Sequence, residues 1–359
     1  MLLFVLILIP YSVLVLNAYI HMLRHHRIIE SEVTLPDILP ELTVIVAAKD
    51  EEVHLPFLIS DLQRIDYPAD KLEIFIVDNN SSDQTAEIIK KADKINYLLS
   101  DTGGKKQAIA MALKHSSGDY VISTDADCRI KPGWIKACVS EFINSKADLI
   151  IGQVDPDTTN GILSGPVQLE FFSLQAITAG LALAGRPVMC NGANLAYRKS
   201  LAADYTEAVK SSIQSGDDMF LLHHAKQEGK KIIWLSDNRA SVISKLPGDI
   251  YGYFRQRTRW ASKSLKYSDR DTIFTGLSTI LANLGIVTAI IVSFFDPAVW
   301  ILAIILISVK LIPDILILSA YLKLKRRRLL LIWFLPLSIL YPFYAILTLL
   351  ASPFRDPGW

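Results

Sequence analysis

The chain has 359 residues, of which 51% are hydrophobic, and its mean hydropathy is +0.32. Its net charge of +1 gives no electrostatic basis for binding nucleic acid, so we expect no nucleic-acid partner. The cysteines Cys128, Cys138 and Cys190 show neither C-x-x-C nor metal-type spacing. We therefore expect a reducing compartment and no disulfide framework.

The chain begins with an apolar block, Met1 to Leu23, about as long as the roughly 20 residues that a helix needs to cross a bilayer. A cleaved signal peptide is the alternative, but it requires a basic start, a shorter apolar core and a small-residue cleavage site. No Lys or Arg precedes the core, and Asn17 to Ile20 lead directly into His21 and Arg24. We therefore favour a retained transmembrane anchor over 1–23, followed by a linker over 24–40.

Between 41 and 245, short β-rich runs alternate with helical stretches, which predicts one α/β domain. The predicted strands are Leu42–Ala48, Leu72–Val77, Ile95–Leu99 and Tyr120–Ser123, and the predicted helices are Glu52–Arg64, Asp83–Ala92 capped by Ser82, and Lys105–His115. Continuously apolar strands indicate a parallel sheet covered by helices on both faces. No G-x-G-x-x-G follows the first strand and no G-x-x-x-x-G-K-[S/T] occurs, which argues against a Rossmann dehydrogenase and a P-loop ATPase.

Ligands of such sheets bind at the carboxyl ends of the strands, where this sequence places acidic residues. The second strand ends at Asp78, and the fourth ends in Asp125-Ala-Asp127. Two carboxylates two residues apart at a strand end can share a divalent cation, which would neutralise a diphosphate leaving group. The spacing alone is weak evidence because Asp155-Pro-Asp157 and Asp269-Arg-Asp271 share it, and Asp78 could simply belong to a polar turn.

Two later segments have both a functional and a structural interpretation. Asp217 and Asp218 precede a helical stretch, where acidic residues also complement the helix dipole. The segment Gln256-Arg-Thr-Arg-Trp260 fits a basic interfacial helix, within an interfacial region over 246–271, with Trp260 as an interface anchor.

Three further apolar blocks lie between Ile273 and Ala351, so we expect about three transmembrane helices over 272–359. Within them Lys310 and Asp314 are four residues apart on one helix face, and we expect a structural ion pair.

Basic residues predict the orientation, because positive flanks stay on the cytoplasmic side. Arg24 and Arg27 follow the first block, and the cluster at 323–328 separates the last two blocks. The 41–245 domain is then cytoplasmic and both termini lie outside. We expect an integral membrane protein, of the inner membrane if the source is bacterial.

Taken together, these segments resemble the family-2 glycosyltransferases of GT-A fold, and the resemblance covers nearly the whole chain. The matching motifs are Val44–Glu52, Ile76–Thr85, Gly104-Lys105, Asp125-Ala-Asp127, Ser215–Leu221 and the Q-x-x-R-W segment at 256–260. The size and the one-plus-three helix layout look most like ceramide-glucosyltransferase-type enzymes. One departure is Lys49-Asp50-Glu51, where the family often has Arg-Asn-Glu. The resemblance implies an α/β GT-A nucleotide-diphospho-sugar transferase domain plus transmembrane α-helices.

The resemblance also implies a role for individual residues. It implies that Asp218 is the catalytic base, with Asp217 beside it, and that Asp127 binds Mg²⁺ or Mn²⁺ together with Asp125. The residues implied to bind the donor are Ala47, Glu51, Asp78, Lys105 and Asp125. Those implied to bind the diphosphate or the acceptor are Gln256, Arg259 and Trp260. Asp78 would bind the uracil ring, and Asp155 and Asp157 would then lie in a loop. The segment Asn191–Asn194 with Arg198 resembles a family segment near donor and acceptor.

The function implied by the resemblance is inverting, metal-dependent transfer of a single sugar from a UDP-sugar to a lipid or lipid-linked acceptor. Glucose is the sugar that the resemblance suggests. A processive polysaccharide synthase is the main alternative, and Q-x-x-R-W supports it. A polyprenyl-phosphate sugar transferase and a catalytically inactive membrane assembly subunit are further alternatives, although the intact carboxylates argue against the inactive subunit. No feature of the sequence predicts the oligomeric state.

Overall fold

The computed structural model describes residues 2–25, 35–36, 38–101, 103–157, 164–205, 209, 216–264 and 266–354. These residues form two compact units, a helical unit of segments 2–25, 164–188 and 246–354, and a sheet unit of segments 35–157 and 189–245 with their gaps. Most of the predicted linker, Arg27 of the predicted orientation signal and Ser215 of the acidic motif lie outside the described residues.

The sheet unit is built on a mostly parallel β-sheet. Its strands are β1 Leu42–Ala48, β2 Leu72–Asp78, β3 Asn96–Leu99, β4 Tyr120–Asp125, β5 Leu149–Ile151, β6 Val154–Pro156, β7 Leu195–Arg198, β8 Ile232–Trp234 and β9 Val242–Ser244. The main sheet has the order β3-β2-β1-β4-β7-β5-β8, in which β7 runs antiparallel to both of its neighbours, and β6 pairs with β9 separately. Every residue of β1 is buried, as expected for a central strand covered on both faces. The predicted α/β class is confirmed.

Helices belong to both units and are numbered here in chain order. They are α1 Leu2–His25, α2 Leu55–Leu62, α3 Thr85–Lys90, α4 Lys105–His115, α5 Trp134–Ser145, α6 Ser164–Leu183, α7 Asp217–Gln227, α8 Ile250–Ser264, α9 Arg270–Ser293, α10 Val299–Leu324 and α11 Phe334–Ala351. The helices α2 to α5 and α7 belong to the sheet unit, and the others belong to the helical unit.

Two helix starts in the sheet unit differ from the prediction. The helix α2 begins at Leu55 rather than at 52, because Pro56 suits only the first turn of a helix. The helix α3 begins at Thr85, and Ser82 does not cap it. The Ser82 hydroxyl instead donates to Asp50 Oδ1 at 3.1 Å, and Asp83 Oδ1 accepts from the Thr85 backbone N–H at 2.9 Å.

The prediction that Asp155 lies in a loop is wrong. Asp155 is the middle residue of β6 and is in register with Ile243 of β9. Both of its neighbours, Val154 and Pro156, are buried, so the strand extends across the acidic residue rather than ending before it.

The helical unit contains the apolar helices. Among the described residues, four stretches are long and apolar enough to cross a membrane, namely Ile7–His25, Arg270–Ser293, Val299–Leu324 and Arg328–Ala351. The helix α1 packs against α6, α9 and α10. Gly180 permits the close approach of α6, because a Cβ there would lie 2.7 Å from the Ala18 Cβ. The sequence places 158–188 within the 41–245 domain, whereas α6 packs in the helical unit.

A polar cluster joins three of these apolar helices. Lys310 Nζ donates to Asp314 Oδ2 at 2.6 Å, which confirms the expected pair. The Tyr11 hydroxyl of α1 donates to Asp314 Oδ1, also at 2.6 Å. Lys310 Nζ lies 5.1 Å from the centroid of the Tyr11 ring and 5.4 Å from that of the Tyr341 ring of α11. The cluster satisfies both charges within the protein, as polar groups among apolar helices require.

We predict that Asp314→Leu, which leaves the Lys310 ammonium buried without its partner, destabilises the protein by about 3–5 kcal/mol. The double variant Lys310→Met/Asp314→Leu is expected to recover most of that loss. Thermal unfolding of the detergent-purified protein measures both, with Ser308→Ala on the exposed side of α10 as the control. Equal stability of Asp314→Leu and the parent protein would contradict the prediction.

Candidate functional site

The sheet register brings the acidic strand ends together. Ala47 of β1 is in register with Asp125 of β4, and Ala48 is in register with Asp78 of β2. Because all three strands are parallel, their carboxyl ends lie at the same edge of the sheet, and Asp127 is the second residue after β4. The structure thus brings together the donor-binding and metal-binding residues predicted on these strands.

Asp78 is almost fully enclosed at the end of β2. It is 2% exposed, and its Oδ1 accepts from the Ser81 backbone N–H at 3.0 Å. The next residue, Asn79, has a structural role that the sequence does not reveal. Asn79 Oδ1 accepts from the Gly104 backbone N–H at 2.9 Å, so it ties the end of β2 to the start of α4. An asparagine in a polar turn carries no sequence signal that would distinguish this contact.

Lys105 is the cation of the site. Gly103 and Gly104 have φ values of 72° and 98°, which only glycine adopts easily, and they turn the chain into α4. Lys105 Nζ then donates to Asp125 Oδ1. Burial alone would lower the pKa of Lys105, but the carboxylates of Asp125, Asp217 and Asp218 together raise it. The ammonium therefore stays charged and binds a carboxylate at the strand end.

Asp217 and Asp218 form the first turn of α7. Asp218 Oδ2 accepts from the Gly192 backbone N–H at 3.0 Å, and its Oδ1 accepts from the Met219 N–H at 2.8 Å. Asp217 is buried, and burial raises its pKa, which Lys105 counteracts. A Cβ at Gly192 would lie 3.4 Å from Lys105 Nζ and 3.8 Å from Asp218 Oδ2. The backbone at Gly192 is thus beside both charged groups, and one cluster contains the predicted base and the strand-end carboxylates.

The strand-end carboxylates fit a divalent cation. Potential ligand atoms of Asp125, Asp127 and Cys128 all lie within 4.8 Å of one another. Burial and the charge of Asp125 raise the pKa of Asp127, and burial and the charge of Asp127 raise the pKa of Glu51. Carboxylates that repel each other in this way are stabilised by a divalent cation, which prefers hard oxygen ligands such as these. Burial also raises the pKa of Cys128, so its thiol stays protonated. The thiol is therefore better suited to donating a hydrogen bond to Asp127 than to binding a metal.

Glu51 lies at the rim of the cluster and is held by contacts with α3 and with His54. Its backbone N–H donates to Thr85 Oγ1 at 2.7 Å, and its Oε2 lies 3.0 Å from His54 Nδ1. Lys245 Nζ lies 3.0 Å from the other ring nitrogen of His54. A donor-binding role for Glu51 and for Ala47 remains a prediction.

One residue expected near donor and acceptor, Arg198, lies elsewhere, and that expectation is wrong for it. Arg198 is in register with Tyr120 at the opposite end of β4, and its Nε donates to the Ala147 carbonyl at 3.2 Å. Asn194 is 1% exposed, and its amide bonds to Trp134 Nε1 and to two backbone carbonyls. The Arg198 side chain is therefore structural, and a place near donor and acceptor for the segment Asn191–Asn194 remains a prediction.

The predicted diphosphate and acceptor residues lie on α8 of the helical unit. Gln256 Oε1 accepts from the Arg257 guanidinium at 2.7 Å. The Trp260 ring centroid lies 4.3 Å from Arg257 Cζ. The Arg259 carbonyl accepts from Ser262 Oγ at 2.9 Å. Arg257, which the sequence left without a role, is therefore the common neighbour of two of them.

Part of the chain matches a known protein family and several known proteins. Residues 43–206 match the family described as "Glycosyl transferase family 2". A "Probable glycosyltransferase" of Sulfolobus acidocaldarius is 24% identical over 280 residues, covering 72% of this chain and 58% of that protein. A "Beta-monoglucosyldiacylglycerol synthase" of Trichormus variabilis is 33% identical over 119 residues, covering 31% of this chain and 25% of that protein. This chain thus matches less than two thirds of the length of either relative.

A similar fold occurs in a solved structure, the mannosyltransferase PcManGT from Pyrobaculum calidifontis in complex with GDP-Man and Mn²⁺. The TM-score is 0.58 at 16% sequence identity, and the match covers 98% of this chain and 99% of that one. At this identity the likeness establishes the fold, which confirms the predicted combination of a GT-A-like α/β domain with long apolar helices. Residues 43–206 therefore match glycosyl transferase family 2, and the fold of the chain is similar to that of a GT-A-like structure.

Proposed function

We propose that the chain transfers a single sugar, with inversion, from a nucleoside-diphosphate sugar to a lipid or lipid-linked acceptor at a membrane surface. The observation that carries this proposal is the convergence of Asp78, Asp125 and Asp127 at one edge of the sheet. Asp218 and Lys105 belong to the same cluster of charges, which gives that edge a base and a permanent cation.

The donor is a UDP-sugar, with glucose as the first candidate. Asp78 holds the uracil ring, and Ala47 and Glu51 line the nucleotide. Mg²⁺ or Mn²⁺, held by Asp127 with Asp125, would supply charge neutralisation at the diphosphate. A guanosine donor is tested beside the uridine donors, because the structurally similar mannosyltransferase is in complex with GDP-Man.

Asp218 acts as the general base. Its carboxylate accepts the proton of the acceptor hydroxyl as that oxygen bonds to the anomeric carbon, and the bond to the diphosphate breaks on the opposite side. The N–H groups of Gly192 and Met219 hold the carboxylate in one orientation. Lys105 holds Asp125 and offsets the charge of Asp217. A single displacement of this kind inverts the anomeric configuration.

The acceptor is lipid or lipid-linked. Four long apolar helices and the name of the glucosyldiacylglycerol synthase relative support this choice. We propose that Gln256, Arg259 and Trp260 bind the diphosphate and the acceptor, by their resemblance to the motif of ceramide-glucosyltransferase-type enzymes. The cytoplasmic orientation of the 41–245 domain, the interfacial region over 246–271 and an inner-membrane location are part of the same proposal.

The proposed reaction predicts lipid-dependent release of nucleoside diphosphate. Detergent-purified protein is incubated with UDP-sugars and GDP-mannose, a lipid extract, and Mg²⁺ or Mn²⁺. We expect release from one donor, loss of release with EDTA, and a product that carries one added sugar. A ladder of products would favour the processive synthase, and no release by folded protein from any donor would contradict the proposal.

Replacement of the proposed base predicts a specific kinetic change. Asp218→Asn keeps the shape of the side chain but cannot accept the proton, so kcat is expected to fall by about 10²–10⁴-fold. The KM for the donor is expected to change little. Steady-state kinetics measures both, with the exposed Asp70→Asn as a control in the same unit. Activity of Asp218→Asn within tenfold of the parent would rule out this base.

The proposed metal site predicts that Asp127→Asn stabilises the cation-free protein against unfolding but removes the stabilisation by cation. Because the raised pKa of Asp127 makes the folded state bind a proton more tightly, the stability of cation-free protein falls as pH rises from the ordinary carboxyl value, about 3.9, through the raised one. At neutral pH without cation, Asp127→Asn should therefore raise the melting temperature by about 2–4 °C, or about 1 kcal/mol for a unit of this size.

Added Mn²⁺ is expected to stabilise the parent protein but not Asp127→Asn, because binding to the folded state alone raises stability. Thermal unfolding in EDTA and in Mn²⁺ measures both effects. The same stabilisation of both proteins by Mn²⁺ would place the metal elsewhere.

A further inference from the structure

Arg257 is the second residue of the Q-x-x-R-W segment, a position for which the resemblance implies no role. A basic interfacial helix would hold such a side chain in water or among lipid headgroups. The structure instead buries Arg257, which is 5% exposed, against Glu170 of α6, which is 7% exposed. Both residues belong to the helical unit. The burial of two opposite charges calls for an explanation beyond a solvated basic face.

The guanidinium uses each of its three nitrogens. Its Nε donates to Glu170 Oε1 at 3.0 Å and its Nη2 donates to Glu170 Oε2 at 2.5 Å, which is a bidentate pair. Its Nη1 donates to Gln256 Oε1 at 2.7 Å. Glu170 therefore fixes the plane of the guanidinium, and the remaining nitrogen holds the glutamine of the motif.

The same guanidinium lies against aromatic rings of α8. Arg257 Cζ lies 4.3 Å from the Trp260 ring centroid and 4.8 Å from that of Tyr253. Residues three or four apart on a helix share one side of it, so Tyr253, Arg257 and Trp260 line one side of α8. Cation–π contact with a desolvated Arg is favourable and depends on the ring geometry. Arg257 thus contacts both the first and the last residue of the motif.

A buried ion pair of this kind is poorly suited to adding net stability, because desolvation of the charges offsets their attraction. The better-attested use of a buried ion pair is to select one conformation of the surrounding side chains among several. Lys could not replace Arg257 in this role, since an ammonium lacks the planar fork that pairs with Glu170 while still reaching Gln256.

We infer that Arg257, held by Glu170, is a positioning residue that fixes the side chains of Gln256 and Trp260 in their working orientation. This inference rests on the proposed function in so far as Gln256 and Trp260 serve the acceptor and diphosphate. Arg257 itself acts through these two side chains and takes no part in bond making.

The kinetic test compares Arg257→Lys with Arg255→Lys, which alters an exposed arginine of the same helix. A small misplacement of binding groups can cost up to about 10²-fold, so Arg257→Lys is expected to raise the KM for the acceptor by about tenfold. Arg255→Lys should leave it within twofold. A purely structural defect would reduce the amount of active protein and lower kcat with the KM unchanged. If Arg257→Lys does not fold, Glu170→Asp tests the same pair with a smaller change.

A mutant-cycle comparison tests whether Arg257 acts through Gln256 and Trp260. In a Gln256→Ala/Trp260→Ala background, Arg257→Lys is expected to change the acceptor KM by less than about twofold, because both groups that it positions are gone. An unchanged acceptor KM in Arg257→Lys alone, or a tenfold rise that persists in the Gln256→Ala/Trp260→Ala background, would overturn the inference.

A spectroscopic measurement separates this inference from the proposed function. The contribution of Trp260 to the fluorescence is the difference between the parent protein and Trp260→Phe, since the chain has 6 tryptophans. Arg257→Lys is expected to shift the Trp260 emission or its intensity, and Arg255→Lys is not. If no donor is consumed but this shift occurs, the positioning stands and the proposed reaction fails. An unchanged Trp260 signal would overturn the positioning, whatever the activity.

Discussion

Negative charge concentrated at one edge of a buried sheet is the constraint on which the sheet unit depends. Asp125, Asp127, Asp217 and Asp218 belong to one electrostatic cluster, and repulsion and burial raise the pKa of two of them, Asp127 and Asp217. Lys105 offsets part of this charge by pairing with Asp125. The glycines at 103 and 104, with their positive φ values, allow the backbone to bring Lys105 to these groups. The remaining excess of carboxylate makes the edge suited to a divalent cation.

In the helical unit, buried charged groups lie among apolar side chains and need partners within the protein. Lys310 and Asp314 are paired, and Tyr11 satisfies a second oxygen of the aspartate. Arg257 and Glu170 are paired in the same manner on α8 and α6. Each cluster connects different helices, the first through the contact of Tyr11 with Asp314 and the second through the pair itself. Each therefore selects one packing of the helices rather than adding much net stability.

The sequence predicts well what depends on a continuous local pattern. The bounds of β1 and α4 agree with the structure, because an unbroken apolar run and a glycine-led amphipathic stretch are visible without tertiary information. The carboxylates at the ends of β2 and β4 could be placed at one edge because parallel strands share that edge. The pairing of Lys310 with Asp314 follows from their spacing on a helix.

What depends on tertiary contacts could not be predicted. Asn79 binds a backbone group 25 residues later, and Arg257 is buried by a glutamate 87 residues earlier. Arg198 pairs at the wrong end of β4 for a site residue, because the antiparallel direction of β7 cannot be read from its sequence. The helix α6 packs with the apolar helices through the small residues Gly180 and Ala18, a contact that depends on both segments.

We propose that the strand-end carboxylates would hold a divalent cation that neutralises the diphosphate of the donor. Anomalous diffraction from crystals grown with Mn²⁺ and a nucleoside diphosphate tests it most directly. We expect a manganese peak within coordinating distance of Asp127 and the nucleotide bound at the same edge of the sheet. A nucleotide bound at that edge with no manganese beside Asp127, or a manganese peak bound only elsewhere, would contradict it.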